Sequence, residues 1–278
     1  MWVKPLNVPL DENAISRILR LNHFHVTVEE VVFRTAHYHK VSAHHLIMDT
    51  IPGKTARSLI FPSGRWGASA SSRQIAGNTA TLAGRWLAHF HRWPSDGPVE
   101  AYDAAARMEK AAFRIEVLSR RGLPAKTAGR LLATLNKAVT HDPPSAVVTI
   151  HGDFKPANLM LAGNEVVGID LEAYQRGRPL VDLGQFIAHL FLSRSAAWVG
   201  TGSPHWWRCL AEAFLEGYRR DADWNMAGLQ PRVLDAVLNA VTRMSERHNG
   251  TFWAVRGAGL MTRTFEYLLD NPLTKAQP

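Results

Sequence analysis

The sequence predicts an α+β fold with two lobes, a small β-containing lobe first and a large helical lobe after it. Residues 30–50 contain β-like apolar runs, whereas apolar residues from about residue 73 onward recur at helical spacing. Residues 146–170 interrupt the helical part with short apolar runs that are typical of a strand followed by a β-hairpin. We place the domain boundary after residue 52, so that residues 1–52 form the small lobe and residues 53–278 the helical lobe.

The small lobe is predicted to hold one helix and several strands. Residues 11–21 favour a short helix that Asp11 can cap. The segments VEEVVF (residues 28–33) and HHLIMDT (residues 44–50) favour strands, and IPGKT at residues 51–55 ends them. A segment rich in Gly and Ser then links this part to the first long helix.

The helical lobe is predicted from its hydrophobic periodicity. In the first long helix, Ile75, Leu82, Trp86 and Phe90 share one face, and Pro94 follows the helix. Further helices are predicted over about residues 101–121, 125–140, 206–220, 231–247 and 251–269.

The composition is that of an ordinary soluble globular enzyme, with 46% apolar and 20% charged residues in 278. No apolar run approaches the roughly 18 to 20 residues that span a bilayer. The N-terminus lacks the pattern of a secretion signal, so we expect a cytoplasmic protein without a membrane partner. The single cysteine, Cys209, excludes an intramolecular disulfide and a Cys-based zinc site.

The positive charge is concentrated in the N-terminal third. The net charge is +8, and residues 1–92 hold 11 Lys and Arg against 5 Asp and Glu. A basic surface of this kind suits a polyanion such as nucleic acid or a nucleotide triphosphate. A solvated basic surface without a ligand is the alternative that charge alone leaves open.

The block from His151 to Asp170 carries the candidate chemistry. It begins with HGDFKPANLML, continues with AGNEVV, in which AGNE is a short turn, and ends with GID. Because the start and the end of an antiparallel hairpin lie side by side, we expect Asn158 to lie next to Asp170. Asp153 lies on the loop that leads into this hairpin. Three oxygen-bearing side chains are therefore predicted to converge at the open end of one hairpin.

This set of side chains suits phosphoryl transfer. Mg²⁺ prefers oxygen ligands, which Asn158 and Asp170 could supply while phosphates and water complete the shell. Asp153 could accept or orient the proton of an attacking hydroxyl, and Lys155 could steady the transferred phosphate. We count His151 with Asp153 and Lys155 among the catalytic candidates.

The sequence HGDFKPANLML with the later GID resembles the catalytic loop and the metal-binding Asp of the aminoglycoside phosphotransferase and choline kinase family. The resemblance implies a protein-kinase-like two-lobe fold with a reduced N-lobe. It also implies a kinase that uses ATP or another nucleotide triphosphate with Mg²⁺. Such an enzyme moves the γ-phosphoryl group to a hydroxyl of a small molecule, and we do not expect a nucleic acid partner.

Two further segments resemble parts of this family. LIMDTIPGKT at residues 46–55 is similar to the hinge between the lobes, which implies that Met48, Asp49 and Thr50 meet the nucleotide base. PLVDLGQFIAHL is similar to the helix after the metal loop, and we expect Asp182 to cap that helix and brace the catalytic loop.

The N-terminal strand contains a candidate for the lysine that contacts the nucleotide phosphates. The resemblance implies that Lys4 has this role and that Glu12, on the following helix, is its ionic partner. A solvated terminal lysine is the alternative. With three residues before Lys4, the first strands and the phosphate-covering loop are expected to be missing. A reduced lobe, a misplaced start and an impaired relative all fit this reading.

Three other functions are alternatives to a small-molecule kinase. A protein kinase is disfavoured because Gly152 replaces an Arg, Leu-Glu follows Asp170, and 11 residues separate Asp170 from Asp182. A nucleotide-binding protein without catalysis stays open. A zinc site rests on crowded histidines without Cys or acidic partners, a weak signal; these are His23, His25, His37, His39, His44 and His45.

The acceptor and the assembly are less constrained. Residues 200–278 hold nine Lys and Arg against eight Asp and Glu, which favours a neutral or anionic hydroxyl compound over a polycation. The sequence does not set the oligomeric state.

Overall fold

A computed structural model describes residues 1–6, 9–62, 69–94, 98–99, 103–140, 147–192, 204–223, 225–247 and 258–273. The predicted α+β class is confirmed, since six strands lie within the first 55 residues and helices dominate the rest. No helix within these ranges is long and apolar enough to cross a membrane.

The strands come in two groups along the chain. Six strands lie near the N-terminus: β1 (Trp2–Pro5), β2 (His25–Val28), β3 (Val31–Thr35), β4 (Tyr38–Val41), β5 (His45–Met48) and β6 (Lys54–Thr55). Four strands follow in the block that carries the motif: β7 (Val148–Ile150), β8 (Leu159–Ala162), β9 (Glu165–Gly168) and β10 (Gln175–Gly177).

The long helices agree with the periodicity, whereas the helix over residues 56–60 and the strand over residues 54–55 were not predicted. The described ones are α1 (Glu12–Arg20), α2 (Ala56–Ile60), α3 (Ala70–Arg92), α4 (Ala104–Ser119), α5 (Ala125–Thr140), α6 (Leu180–Leu192), α7 (Pro204–Asp221), α8 (Leu229–Arg247) and α9 (Ala258–Asp270). The side chain of Asp11 accepts a hydrogen bond from the amide of Ala14, as the predicted cap requires. Residues 251–257 of the last predicted helix lie outside the described ranges.

Three sheets connect these strands. One has the order β1-β5-β4 and one pairs β10 with β7. The third has the order β2-β3-β9-β8-β6, in which β9 runs parallel to β3 and antiparallel to β8. The β8–β9 hairpin therefore lies in the middle of a sheet, where both of its strands have hydrogen-bonded neighbours. This position fixes both strands whose ends carry the candidate site.

The described residues fall into two compact units. The first comprises Met1–Glu100, Ala146–Asp182 and Ala213–Trp224, and it contains every described strand. The second comprises Ala101–Ser145, Leu183–Glu212 and Asn225–Pro278 and is helical where it is described. The predicted domain boundary after residue 52 stays a prediction. All candidate site residues belong to the first unit.

An aromatic cluster packs against the β8–β9 hairpin. Trp86 of α3 stacks on Phe90 one turn later, with ring centroids 4.8 Å apart, and on Phe154 of the catalytic loop at 5.4 Å. Its indole nitrogen donates to the carbonyl of Arg34 in β3 at 2.9 Å. Gly168 at the end of β9 lies against the indole ring of Trp86, so that a Cβ atom at this position would overlap the ring. One buried tryptophan thus joins α3, the hairpin and the catalytic loop.

We predict that Gly168→Ala destabilises the first unit, because the new methyl group must push either the hairpin or the Trp86 ring aside. Overpacking of this kind costs about 1–3 kcal/mol. Chemical denaturation of the variant measures the loss. The matched control is Gly77→Ala in α3, where a Cβ meets nothing within 4 Å and a gain of up to about 1 kcal/mol is expected. Equal stability of the two variants would contradict this packing.

Candidate active site

The catalytic loop joins β7 to β8 and presents Asp153 next to Lys155 and Asn158. The Lys155 ammonium group contacts the Asp153 carboxylate. The Asn158 amide nitrogen donates to the Asp153 carbonyl at 3.0 Å and to its carboxylate at 3.2 Å. Asp153 keeps about a third of its side chain exposed. The loop therefore holds this carboxylate in one orientation while leaving it accessible to a substrate.

The hairpin brings Asn158 and Asp170 to the same end, as its antiparallel register predicts. Leu159 pairs with Gly168 in the ladder, and the amide of Ile169 donates to the Asn158 carbonyl at 3.0 Å. Asp170 follows in a left-handed conformation with φ of 68°. This strained backbone turns the chain sharply out of the strand and starts the short turn Leu171–Ala173.

Gly152 is explained by two constraints of the loop. Its φ of +79° lies in the left-handed region, and a Cβ would overlap the carbonyl of Ala173. The catalytic loop and the turn after Asp170 thus approach so closely that a side chain at position 152 has no room. Glycine at this position, noted in the sequence as a departure from protein kinases, has a structural reason in this chain.

The ring of His151 is fully buried and links the loop to the hairpin. Its Nε2 atom lies 3.0 Å from the carbonyl of Ile169, and Nδ1 accepts from the amide of Asp153 at 3.4 Å. Burial lowers the pKa of His151, with the charge of Asp182 acting in the opposite direction. A neutral ring that donates from Nε2 satisfies both contacts. Its position is that of a residue that shapes the loop, and its predicted catalytic role stays a prediction.

Asp182 braces the loop from α6, as the sequence predicted. Its buried carboxylate accepts hydrogen bonds from the amides of His151 at 2.7 Å and Gly152 at 2.9 Å. The third partner is His91 of α3, whose Nε2 atom lies 3.2 Å away, and Tyr218 holds the other ring nitrogen at 2.8 Å. The predicted capping position was wrong: α6 begins at Leu180, so Asp182 lies in its first turn.

Lys4 reaches the hairpin end that carries Asn158 and Asp170. Its ammonium group contacts the carboxylate of Asp170 and lies 2.6 Å from that of Glu172. The predicted pairing with Glu12 was wrong. Glu12 is exposed in the first turn of α1, whereas the turn after Asp170 directs Glu172 toward β1. Lys4 is thus a partly buried lysine between two acidic groups and not a solvated one.

The predicted hinge follows β5 directly. Met48 is buried and pairs with Trp2 of β1 on one side and Tyr38 of β4 on the other. Asp49 hydrogen-bonds to the ring of His39 at 2.6 Å, and this bond lowers the pKa of the Asp49 carboxyl. Thr50 comes next, before the turn at residues 51–53. Met48 lies on the same sheet as Lys4, and Asp49 and Thr50 follow it along the chain. The contact of these three residues with a nucleotide base stays a prediction.

The oxygen groups at the hairpin end fit a divalent cation. Asn158 donates through its amide nitrogen, which leaves its amide oxygen as a potential ligand beside the Asp170 carboxylate. A cationic ammonium group already lies against Asp170 and Glu172. Within the described residues, no group of three or more His, Cys, Asp and Glu side chains is arranged to hold a metal. The zinc alternative therefore finds no support there.

The sequence matches the phosphotransferase enzyme family over residues 9–224. The chain belongs to this family. It is therefore a phosphotransferase, and the predicted resemblance is confirmed. No curated protein sequence matches the chain.

Solved structures confirm the protein-kinase-like fold at low identity. A choline/ethanolamine kinase family protein from Mesorhizobium loti is 15% identical with a TM-score of 0.57, over 97% of this chain and 82% of that one. A thermostable mutant of an aminoglycoside phosphotransferase is 13% identical with a TM-score of 0.55, over 96% and 85%. A glucosamine kinase in complex with glucosamine, ADP and inorganic phosphate is 14% identical with a TM-score of 0.54, over 96% and 71%.

Sequence reasoning missed Glu172 as a site residue. The signal was present, because the sequence places this second carboxylate two residues after Asp170. What could not be read from it was the left-handed turn at Asp170, which decides where Glu172 points.

We predict that Asp182→Ala destabilises the protein by about 2–6 kcal/mol, since two buried loop amides lose their acceptor at about 1–3 kcal/mol each. The free energy of unfolding measures this, with Asp223→Ala, an exposed acidic position, as the control that should change it little. A loss below about 1 kcal/mol would show that the loop keeps its conformation without Asp182.

Proposed function

We propose that this phosphotransferase is a small-molecule kinase that transfers the γ-phosphoryl group of ATP, or of another nucleotide triphosphate, to a hydroxyl group with the help of Mg²⁺. The observation that carries the proposal is the placement of Asp153, Asn158 and Asp170 at the open end of one hairpin, with Lys4 beside them. Family membership supports phosphoryl transfer. The similar glucosamine kinase, solved with a sugar, ADP and phosphate, supports a nucleotide donor and a small acceptor.

Asp170 and Asn158 are the residues that would hold the metal. When bound, Mg²⁺ would neutralise phosphate charge and fix the phosphate oxygens relative to the acceptor. The protein supplies one carboxylate and one amide oxygen, a set that leaves room for phosphates and water in an octahedral shell. The left-handed turn at Asp170 holds this carboxylate at the end of the strand.

Asp153 is proposed to accept or orient the proton of the attacking hydroxyl. Its carboxylate is partly exposed and is held by Asn158 and Lys155, so little reorganisation is needed when the hydroxyl arrives. The Lys155 ammonium group, which contacts Asp153, is proposed to move toward the transferred phosphate as negative charge develops there. His151 acts through the loop, as a positioning residue.

The acceptor is proposed to be a neutral or anionic hydroxyl compound, on the charge balance of residues 200–278. A site for several ammonium groups would be expected to show an acidic excess there. A cytoplasmic location, expected from the sequence, stays a prediction, as does a metal identity of Mg²⁺ rather than another divalent ion.

We predict that Asp153→Asn lowers the phosphorylation rate about 10²–10⁴-fold, the usual contribution of a positioned acid or base. Nucleotide affinity should stay near the wild-type value, because Asp153 faces the acceptor. The measurement is turnover of radiolabelled nucleotide with a panel of amino alcohols, sugars and aminoglycosides. Turnover by the variant at the wild-type rate would contradict the role of Asp153. Metal-dependent nucleotide binding by the wild type without any transfer would instead favour the non-catalytic alternative.

We predict that Asp170→Asn weakens nucleotide binding about tenfold or more in the presence of Mg²⁺, a loss of at least about 1.4 kcal/mol. Asparagine tolerates the left-handed backbone better than alanine does, so the variant tests the ligand and not the turn. Calorimetric titration with and without Mg²⁺ gives both affinities. An equal effect in the two titrations would show that Asp170 does not hold the metal.

A further inference from the structure

If a metal bound to Asp170, Lys4 would need another acidic group to hold its side chain in place. A lysine ammonium and a divalent cation compete for the same carboxylate, since both neutralise it. Once Asp170 turned to a metal, Lys4 would lose one of its two acidic partners. The second contact, with Glu172 at 2.6 Å, would then decide whether Lys4 stays beside the phosphates or moves into solvent.

Glu172 is well placed to keep Lys4 there. It lies two residues beyond Asp170, in the short turn Leu171–Ala173, and less than a quarter of its side chain is exposed. Burial raises the pKa of the Tyr38 phenol, and the charge of Glu172 raises it further. Helix α1 packs on the same turn. The carboxylate therefore sits on a supported segment and faces β1.

Glu12 cannot hold the Lys4 side chain in the observed arrangement. It is exposed in the first turn of α1, where its charge favours the helix N-terminus. Within the described residues, the carboxylates that contact the Lys4 ammonium are those of Asp170 and Glu172. Asp170 can therefore bind a metal while Glu172 keeps its contact with Lys4.

We propose that Glu172 is the positioning residue of Lys4, holding its ammonium group where the nucleotide phosphates bind while Asp170 serves the metal. This inference rests on the proposed function, because it assigns Lys4 to the phosphates. Glu172 touches neither the reacting atoms nor the acceptor in this arrangement. Its effect passes through the position of one positive charge.

The test compares Glu172→Gln with Glu12→Gln, a matched removal of a carboxylate on the neighbouring helix. Affinities for a nucleotide triphosphate analogue and for the nucleoside alone are measured with Mg²⁺. Glu172→Gln should weaken triphosphate binding about tenfold, or about 1.4 kcal/mol, and leave nucleoside binding unchanged. Glu12→Gln should change neither affinity by more than about twofold. Glu172→Asp should restore part of the loss.

A double-mutant cycle with Lys4→Met shows whether Glu172 acts through Lys4. In the Lys4→Met background, Glu172→Gln should have no further effect on triphosphate binding. A full additional loss in that background would overturn the inference, because Glu172 would then act on the metal or on the fold. Equal losses of nucleoside and triphosphate affinity, or no loss at all, would also overturn it.

Labelling of Lys4 by an amine-reactive reagent reports the ion pair without nucleotide. Peptide mass spectrometry should show faster labelling of Lys4 in Glu172→Gln than in the wild type, and an unchanged rate would overturn the pairing. A wild-type chain that binds no triphosphate would contradict the proposed function and with it the phosphate role of Lys4. Normal binding by both wild type and Glu172→Gln would overturn the role of Glu172 alone.

Discussion

The buried carboxylate of Asp182 is the contact on which the geometry of the site depends. It accepts from two consecutive amides of the catalytic loop and is itself held by His91 of α3. A loop without regular secondary structure has no ladder to satisfy these amides, so a buried acceptor must do so. Because α6 carries the acceptor and α3 carries the histidine, the position of Asp153 is set by two helices rather than by the loop itself.

Charges of both signs meet at the hairpin end. Two carboxylates, Asp170 and Glu172, share one ammonium group from Lys4. Such a site suits a ligand that also brings both signs, as a metal–phosphate complex does, because the metal can bind one carboxylate and the phosphates can bind the lysine. Ion pairs that are partly exposed contribute little to stability, so this arrangement is better understood through ligand binding than through folding.

Most helices and strands and the motif could be predicted from the sequence, whereas the long-range pairings could not. The hairpin and the proximity of Asn158 to Asp170 followed from local patterns, since antiparallel register is a local property. The partner of Lys4 did not follow, because it depends on a left-handed turn at Asp170 and on the approach of β1 from 166 residues away. The start of α6 was predicted three residues too late, since Asp182 is the third residue of the helix and not its cap.

The parallel pairing of β3 with β9 was also beyond sequence reasoning. Nothing in the local pattern of Val31–Thr35 distinguishes this neighbour from another strand of the small lobe. The pairing matters for the candidate site, because it places the strand that leads to Asp170 in the interior of a sheet that the N-terminal part of the chain completes. Gly152 and Gly168 show the same limit: each is required by a close approach that only the folded chain reveals.

The most direct test of the account is a crystal structure with Mn²⁺ and a non-hydrolysable nucleotide triphosphate, in which anomalous scattering locates the metal. We expect the metal to be bound by oxygens of Asp170 and Asn158, with the terminal phosphate between the metal and Asp153. A metal–nucleotide complex bound away from the hairpin end, with Asp170 still paired to Lys4, would contradict it.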